Sequence, residues 1–239
     1  MLLLVTDTSG RNGSVALARA RADSSEVELI EALALEGGNF SALLVPQIAA
    51  LLAKHGFSRK DIGAFIVVAG PGSFTGLRVG LAAIKALAEI LQKPVVPVSL
   101  LEVVALAAQT TSKAESKVLA ALDAGRGDLY VGDYDVEGKN SHLVREELLP
   151  KNEFLSKMRA MPREAIAVTP DESLAASARD AAIAIALVAL PDAARIARLG
   201  WRRLQAGETV SPERLDANYI RRTDAEIFAK PSPGLAPPS

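Results

Sequence analysis

The chain has 239 residues, a length that suits one large domain or two small ones. Hydrophobic residues make up 49% of it and charged residues 23%, so the chain can fill a packed core and disorder throughout is excluded. Its 27 Lys and Arg against 28 Asp and Glu leave a net charge of −1, which argues against a broad basic surface for nucleic acid. Cysteine is absent, which excludes disulfides, thiol nucleophiles and cysteine-based metal sites.

The apolar stretches of the sequence are short. The N-terminal run, residues 2–5, follows no basic segment and is shorter than the core of a signal peptide. The longest uninterrupted apolar run covers residues 181–190, whereas a membrane-spanning helix needs roughly 20 residues. We therefore expect a cytoplasmic protein with no membrane association.

The first part of the chain predicts three strands followed by alternating helices and strands. Short apolar or alternating runs between turn residues predict strands at 2–5, 15–18, 26–35, 62–69 and 94–98. Longer apolar runs predict helices at 41–55, 77–92 and from 99 to about 109. The third helix begins with Ser99 and Glu102 at the spacing of a capping box.

A similar order of elements then follows a second time. Strands are expected at 117–122, 129–136, 142–149, 165–168 and 182–190. Helices are expected at 152–160, 173–179 and 191–204. The proline-rich tail from residue 230 is expected to be disordered.

Two segments of the chain resemble each other. In residues 5–13 and 121–127, a buried strand ends in an aspartate before a glycine-containing turn. Such a duplication predicts two similar α/β lobes with a cleft between them, as in the two-lobed actin-like fold of sugar kinases, heat-shock ATPases and actin. The expected units are an N-terminal lobe 1–102, a C-terminal lobe 103–210, a C-terminal return segment 211–229 and a disordered tail 230–239.

The glycine-rich loop at 70–76 lies between a predicted buried strand and a helix, where backbone amides can bind an anion. Its spacing does not match a P-loop, because no lysine follows Gly76. It also fails the dinucleotide fingerprint, which needs a glycine at Thr75. Phosphate binding stays an alternative, and close approach of another helix at Gly76 and Gly80 is the favoured interpretation.

Catalytic and metal-binding side chains are scarce. The two histidines, His55 and His142, have no partner at metal-ligand spacing, and no Gly-x-Ser-x-Gly motif occurs. We therefore expect no catalytic residue and no metal site. The residues of an ancestral phosphate loop would be Asp7, Thr8, Ser9 and Asp123. An active site that uses the two aspartates near a metal remains the alternative.

The first two predicted helices carry few polar residues for a pair at a monomer's surface. Between residues 42 and 53 the only polar residue is Gln47, and the second helix collects its charges on one side. This pattern predicts burial against a second protein, with a fully enclosed core helix as the alternative. The expected contact residues are Leu43, Leu44, Ile48, Leu51, Gly76, Gly80, Ala83 and Leu87.

A stripe of arginines marks the last predicted helix. Arg195, Arg198 and Arg202 recur at helical spacing. Such a stripe is either a solvated helix face or a contact to a phosphate backbone. Both interpretations stay open.

The glycine-rich segment 70–80, Gly-Pro-Gly-Ser-Phe-Thr-Gly-Leu-Arg-Val-Gly, resembles the signature of the bacterial TsaB family, also called YeaZ. The resemblance extends to the segments 7–9, 14–17, 43–46, 98–102, 122–126 and 219–221. One departure is Phe40, because the family commonly has histidine there. A metal-binding histidine pair, which the family's catalytic relative TsaD carries, has no counterpart in this sequence.

The resemblance implies a two-lobed actin-like subunit that is not itself the catalyst. It implies pairing with TsaD through the first two long helices, assembly with the ATPase TsaE, and a homodimer when the partner is missing. The assembly transfers a threonylcarbamoyl group to N6 of adenosine 37 in tRNAs that read codons beginning with A. The chain would have no cofactor of its own, with ATP and metal held by TsaD, and would meet tRNA through the complex.

Two other functions stay open at this point. One is an active nucleotide-dependent phosphotransferase of the actin-like class. The other is a structural interaction protein unrelated to tRNA.

Overall fold

A computed structural model describes residues 1–36, 39–108, 116–162 and 164–220. Within these ranges ten strands form two sheets of five. The first sheet contains β1 Leu2–Asp7, β2 Gly13–Ala20, β3 Val27–Leu35, β4 Ile62–Gly70 and β5 Val95–Ser99. The second sheet contains β6 Ser116–Gly125, β7 Asp128–Glu137, β8 Asn140–Pro150, β9 Ile166–Thr169 and β10 Ala186–Leu187.

Six α-helices lie in the same described ranges: α1 Phe40–Lys54, α2 Phe74–Leu91, α3 Leu100–Ala107, α4 Lys151–Ala160, α5 Glu172–Asp180 and α6 Ala193–Gln205.

The two sheets have the same topology. The first has the order β3-β2-β1-β4-β5, and the second has the order β8-β7-β6-β9-β10. In each sheet the first three strands run antiparallel, while the first, fourth and fifth run parallel. Helices follow the third, fourth and fifth strand of both units. The predicted duplication and the two-lobed actin-like fold are thereby confirmed.

Strands β1, β2, β4 and β5 of the first sheet are mostly buried on both faces, which explains their nearly continuous apolar sequences. Because strand residues alternate between faces, Leu2 and Leu4 of β1 pack with α1 and α2, whereas Leu3 and Val5 pack with α6. The segment after α6 returns to this sheet, where the Val210 amide donates to Val95 O at 2.9 Å. Helices α1 and α2 therefore lie on one side of the sheet, and α6 lies on the other.

The third helix of each unit packs on the sheet of the other unit. Helix α3 follows the first sheet but contacts β6, β7 and β8, and α6 follows the second sheet but contacts all five strands of the first. The predicted boundary between lobes 1–102 and 103–210 stays a prediction, and α6 lies in the second of these ranges although it packs on the first sheet. The order of the elements along the chain cannot predict this exchange, because an apolar helix face can pack on either of the two sheets.

A buried ion pair joins the two exchanged helices. Arg203 of α6 donates to Glu102 of α3 at 2.6 Å, and the Ser141 hydroxyl donates to the other carboxylate oxygen at 2.8 Å. The predicted capping box is wrong, because Ser99 makes no side-chain cap and instead donates to Glu146 at 2.6 Å. Both polar side chains of the predicted motif, Ser99 and Glu102, therefore bond to residues from other elements.

The other predicted elements are present with ends shifted by a few residues, apart from one strand. The apolar run 182–190 forms only β10 Ala186–Leu187, at the edge of the second sheet. Its single neighbour β9 has four residues and pairs with β10 at two of them, so the rest of the run has no partner strand. The predicted tail 230–239 and residues 221–229 of the return segment lie outside the described residues.

Removal of Arg203 tests the link between the helices. We expect Arg203→Gln to leave Glu102 buried without its cation, at a cost of about 3 kcal/mol and a Tm lower by roughly 6–12 °C. Thermal unfolding of Arg203→Gln beside Arg198→Gln, an exposed arginine on the same helix, measures this. Equal Tm values for the two variants would contradict the role of the pair.

The same variant has a defined pH dependence. Burial raises the pKa of Glu102 above its ordinary value, and Arg203 opposes that shift. Without Arg203 the folded-state pKa rises further above the unfolded one, so stability is gained as the pH falls through it. The Tm deficit of Arg203→Gln should therefore be smaller at pH 5 than at pH 7.5.

Candidate functional site

The glycines of the loop 70–76 and of α2 allow close contact with the turn after β1. A methyl group at Gly72 would overlap the carbonyl oxygen of Ser9, and one at Gly76 would overlap that of Thr8. At Gly80 it would overlap the Thr8 hydroxyl. The absence of side chains at these three positions therefore serves packing inside the first lobe.

This contact corrects part of the predicted partner interface. Gly76 and Gly80 are buried against Thr8 and do not face a partner helix. Leu44, Ile48 and Leu51 of α1 are at most 4% exposed and belong to the core between α1, α2 and the first sheet. These five assignments are wrong, because the lobe itself covers that side of both helices. Leu43, Ala83 and Leu87 are half-buried at its margin and remain a prediction.

The opposite side of the two helices is exposed and mostly apolar, and it also carries the charged residues Lys54, Arg78 and Glu89. We call its apolar part the α1–α2 face, and its members are Ala42, Val45, Pro46, Ala49, Ala50 and Ala53 of α1 with Ala82, Ala86 and Ile90 of α2. Val45 is 52% exposed and Ile90 is 72% exposed. Neither residue is among the contact residues predicted from the sequence. Their helical spacing from the buried leucines could have identified them, because an apolar side chain out of phase with the core stripe must face outward.

Ser9 and Asp123, two of the four predicted phosphate-loop residues, lie at a cleft between the two sheets, whereas Thr8 is buried against Gly80 and Asp7 does not line the cleft. A cavity of about 470 Å³ is lined by the turn at Ser9 and Gly10 on one side and by Asp123 and Asp171 on the other. The two duplicated turns therefore face each other as predicted. No Lys or Arg is among the described residues that line the cavity.

The two aspartates at these turns have different surroundings. The Asp7 carboxylate accepts the Ser9 amide at 2.9 Å and the Ser9 hydroxyl at 2.6 Å, and burial raises its pKa. Asp123 is exposed and accepts the Gly125 amide at 3.0 Å. Each carboxylate thus holds the turn that follows it, as an Asx turn does.

The two histidines lie in different parts of the fold. His55 is the residue that ends α1, and its Nε2 atom lies 2.7 Å from Glu31 Oε2. His142 pairs in register with Asp135 on the neighbouring strand. Across the described ranges, no group of three His, Asp or Glu side chains is arranged to hold a metal ion. Among the same residues no helix is long and apolar enough to cross a membrane.

Comparison with known proteins gives consistent matches. A family model described as "TsaD: tRNA N6-adenosine threonylcarbamoyltransferase" matches residues 36–228. The tRNA threonylcarbamoyladenosine biosynthesis protein TsaB of Bacillus subtilis (strain 168) is 30% identical over 175 residues, which cover 73% of each chain. The chain belongs to the TsaB family.

Two further TsaB-family relatives match over nearly the full length. The TsaB protein of Escherichia coli (strain K12) is 27% identical over 230 residues, 94% of this chain and 96% of that protein. The structure of YeaZ from Pseudomonas aeruginosa has a TM-score of 0.68 and 26% identity, and the match covers 91% of this chain and 99% of that one. The predicted family and fold are confirmed.

The departure from the TsaB pattern at Phe40 has a clear place in the structure. The ring is 3% exposed and lies where a methyl group on Gly13 would come within 2.8 Å of it. It also lies beside Gly76. Phe40 therefore fills the space between the start of α1, the start of β2 and α2, as an apolar part of the core.

Substitution of Gly76 tests the close contact. Because the obstructing atom is a backbone carbonyl, Gly76→Ala should cost about 2 kcal/mol and lower the Tm by roughly 4–8 °C. Thr75→Ala, an exposed position on the same turn, should change the Tm by less than about 2 °C. A Gly76→Ala protein as stable as the control would show that the turn after β1 can move away.

Proposed function

We propose that this chain is a docking subunit in tRNA threonylcarbamoyladenosine biosynthesis, with its α1–α2 face bound to a TsaD-like catalytic subunit. The observation that carries the proposal is the exposed apolar side of α1 and α2. The names of the TsaB relatives supply the pathway.

The composition of the α1–α2 face suits a protein partner. Its nine members are the apolar residues of an exposed side on which Arg78 and Glu89 of α2 also lie, and apolar residues beside charged ones are typical of a protein interface. Val45 and Ile90 are the large exposed apolar side chains that a partner would bury. We infer that a second copy of the chain occupies the same face when the partner is absent.

The cleft supports a non-catalytic role for the subunit. Phosphoryl transfer depends on cations that neutralise the charge of the transferring group. No Lys or Arg is among the described residues of the cleft wall, and its carboxylates Asp123 and Asp171 accept backbone amides of the turns that follow them. We therefore assign ATP, metal and the transfer reaction to the TsaD-like partner, with a TsaE-like ATPase in the larger assembly and tRNA bound through the complex.

A charge on the α1–α2 face should separate the subunits. Val45→Asp places an unpaired carboxylate at the centre of the proposed contact, so the affinity for the TsaD-like partner should fall at least tenfold. Calorimetry with the purified partner measures the affinity, and thermal unfolding checks the fold.

The matched control is Val144→Asp. Val144 is 61% exposed on β8, away from both helices, compared with 52% for Val45. The Val144→Asp variant should bind the TsaD-like partner with the same affinity as the unaltered chain. Equal affinities for the two variants would place the partner elsewhere.

Asp7→Asn separates a docking subunit from an active phosphotransferase. The amide oxygen of asparagine can still accept both Ser9 hydrogen bonds, so the turn should persist. Threonylcarbamoyl transfer by the complex should stay within about twofold of the unaltered complex. A loss of tenfold or more, with partner binding intact, would favour the phosphotransferase.

A further inference from the structure

A second cavity lies beside the exchanged helices, on the side of the first sheet opposite α1 and α2. Its volume is about 420 Å³. Residues of α3 and α6 form its apolar part, among them Val103, Leu106 and Leu199. Val103 and Leu199 also pack in the core on the α6 side of the sheet, so the cavity has a rigid floor.

Four cationic side chains line this cavity. They are Lys139 from the turn between β7 and β8 and Arg195, Arg198 and Arg202 from successive turns of α6. No Asp or Glu is among the described residues of its wall. In a chain with a net charge of −1, this is a local concentration of positive charge.

The arginines of this cavity are not neutralised by ion pairs, and one of them is held in place. Arg195 donates to the carbonyl oxygens of Ala189 and Leu190, at 3.3 and 3.2 Å, so its position is set while its charge remains. Among the described residues no carboxylate lies within ion-pair distance of Arg198 or Arg202. The carboxylate of Glu102 attracts the charge of Arg202 electrostatically, and it already accepts a hydrogen bond from Arg203.

The pKa of Arg202 is lowered first by burial and then by its cationic neighbours. Its side chain is half-buried, and burial lowers the pKa of the guanidinium, with Arg198 and Arg203 lowering it further. Glu102 opposes the shift. An anion in the cavity would relieve the repulsion between these cations, because it would supply the opposite charge that the wall lacks.

We propose that this cavity binds a small phosphorylated ligand of nucleotide size. Arginine forks match phosphate oxygens in geometry and charge. The four cations line one cavity, which favours a compact ligand over an RNA strand. Lys139 and Arg202 also line an adjoining cavity, where the carboxylates of Glu102 and Glu208 interrupt the positive charge. The apolar walls at Val103, Leu106 and Leu199 suit the part of the ligand that carries no charge.

The proposal is independent of docking at the α1–α2 face. The sheet separates the two sites, since Leu4 packs toward α1 and α2 and Leu3 packs toward α6. Substitutions in the cavity should therefore leave affinity for a TsaD-like partner unchanged, and failure of either idea leaves the other standing.

Calorimetric titration of the full chain with ADP and, separately, with inorganic pyrophosphate tests the site. Both should bind, more weakly as the salt concentration rises, since the attraction is electrostatic. Arg202→Gln should weaken binding of each at least tenfold. Arg198→Gln, at an exposed position of the cavity, should also weaken binding of both ligands. Arg159→Gln, at an exposed position on α4, is the matched control and should leave both affinities unchanged.

A folded transcript of tRNA serves as the third probe. Binding of ADP that Arg202→Gln and Arg198→Gln weaken, with Arg159→Gln unaffected, supports the proposal. No binding of ADP or pyrophosphate overturns it, and so does equal binding by all variants. Arginine-dependent binding of tRNA alone also overturns it and makes the cavity part of an RNA surface.

Discussion

The first lobe depends on the close contact between the turn after β1 and three glycines, at positions 72, 76 and 80. Backbone atoms of Thr8 and Ser9 occupy the space that side chains would fill, which sets the distance and angle of α2 relative to the sheet. Phe40 closes the remaining gap and places α1 beside α2. The α1–α2 face thus owes its flat outward surface to a contact that lies entirely within the lobe.

The exchange of α3 and α6 joins the two lobes through their cores. Each helix buries its apolar side on the sheet of the other unit, so the lobes share a hydrophobic interior as well as a chain crossing. The pair of Glu102 and Arg203 lies where the two helices meet. The same crossing creates the basic cavity, because α3 and α6 provide its apolar floor and its arginines.

Three surfaces with different chemistry result from this arrangement. The α1–α2 face is apolar, the cleft presents carboxylates on its described wall, and the cavity beside α6 is basic. An overall charge near zero conceals this separation, since the acidic and basic regions cancel in the sum. We infer that one small subunit can present distinct sites to a protein and to an anion because the first sheet separates them.

Hydrophobic periodicity and turn residues predicted the elements and the duplication, because each segment carries these properties locally. The family was predicted from the resemblance of the glycine-rich segment 70–80 to the TsaB signature. The sequence also identified α1 and α2 as unusually apolar. The fold added which of the apolar sides is interior, because spacing shows which residues share a side and not which side is covered: Gly76, Gly80 and Leu44 are buried, whereas Val45 and Ile90 are exposed. In the folded chain α6 packs on the first sheet, Ser99 bonds to Glu146, and Glu102 pairs with Arg203. The reason is physical: an apolar side chain gains the same free energy from any dry surface, and a polar one from any suitable partner, so the choice among them depends on the packing of the whole chain.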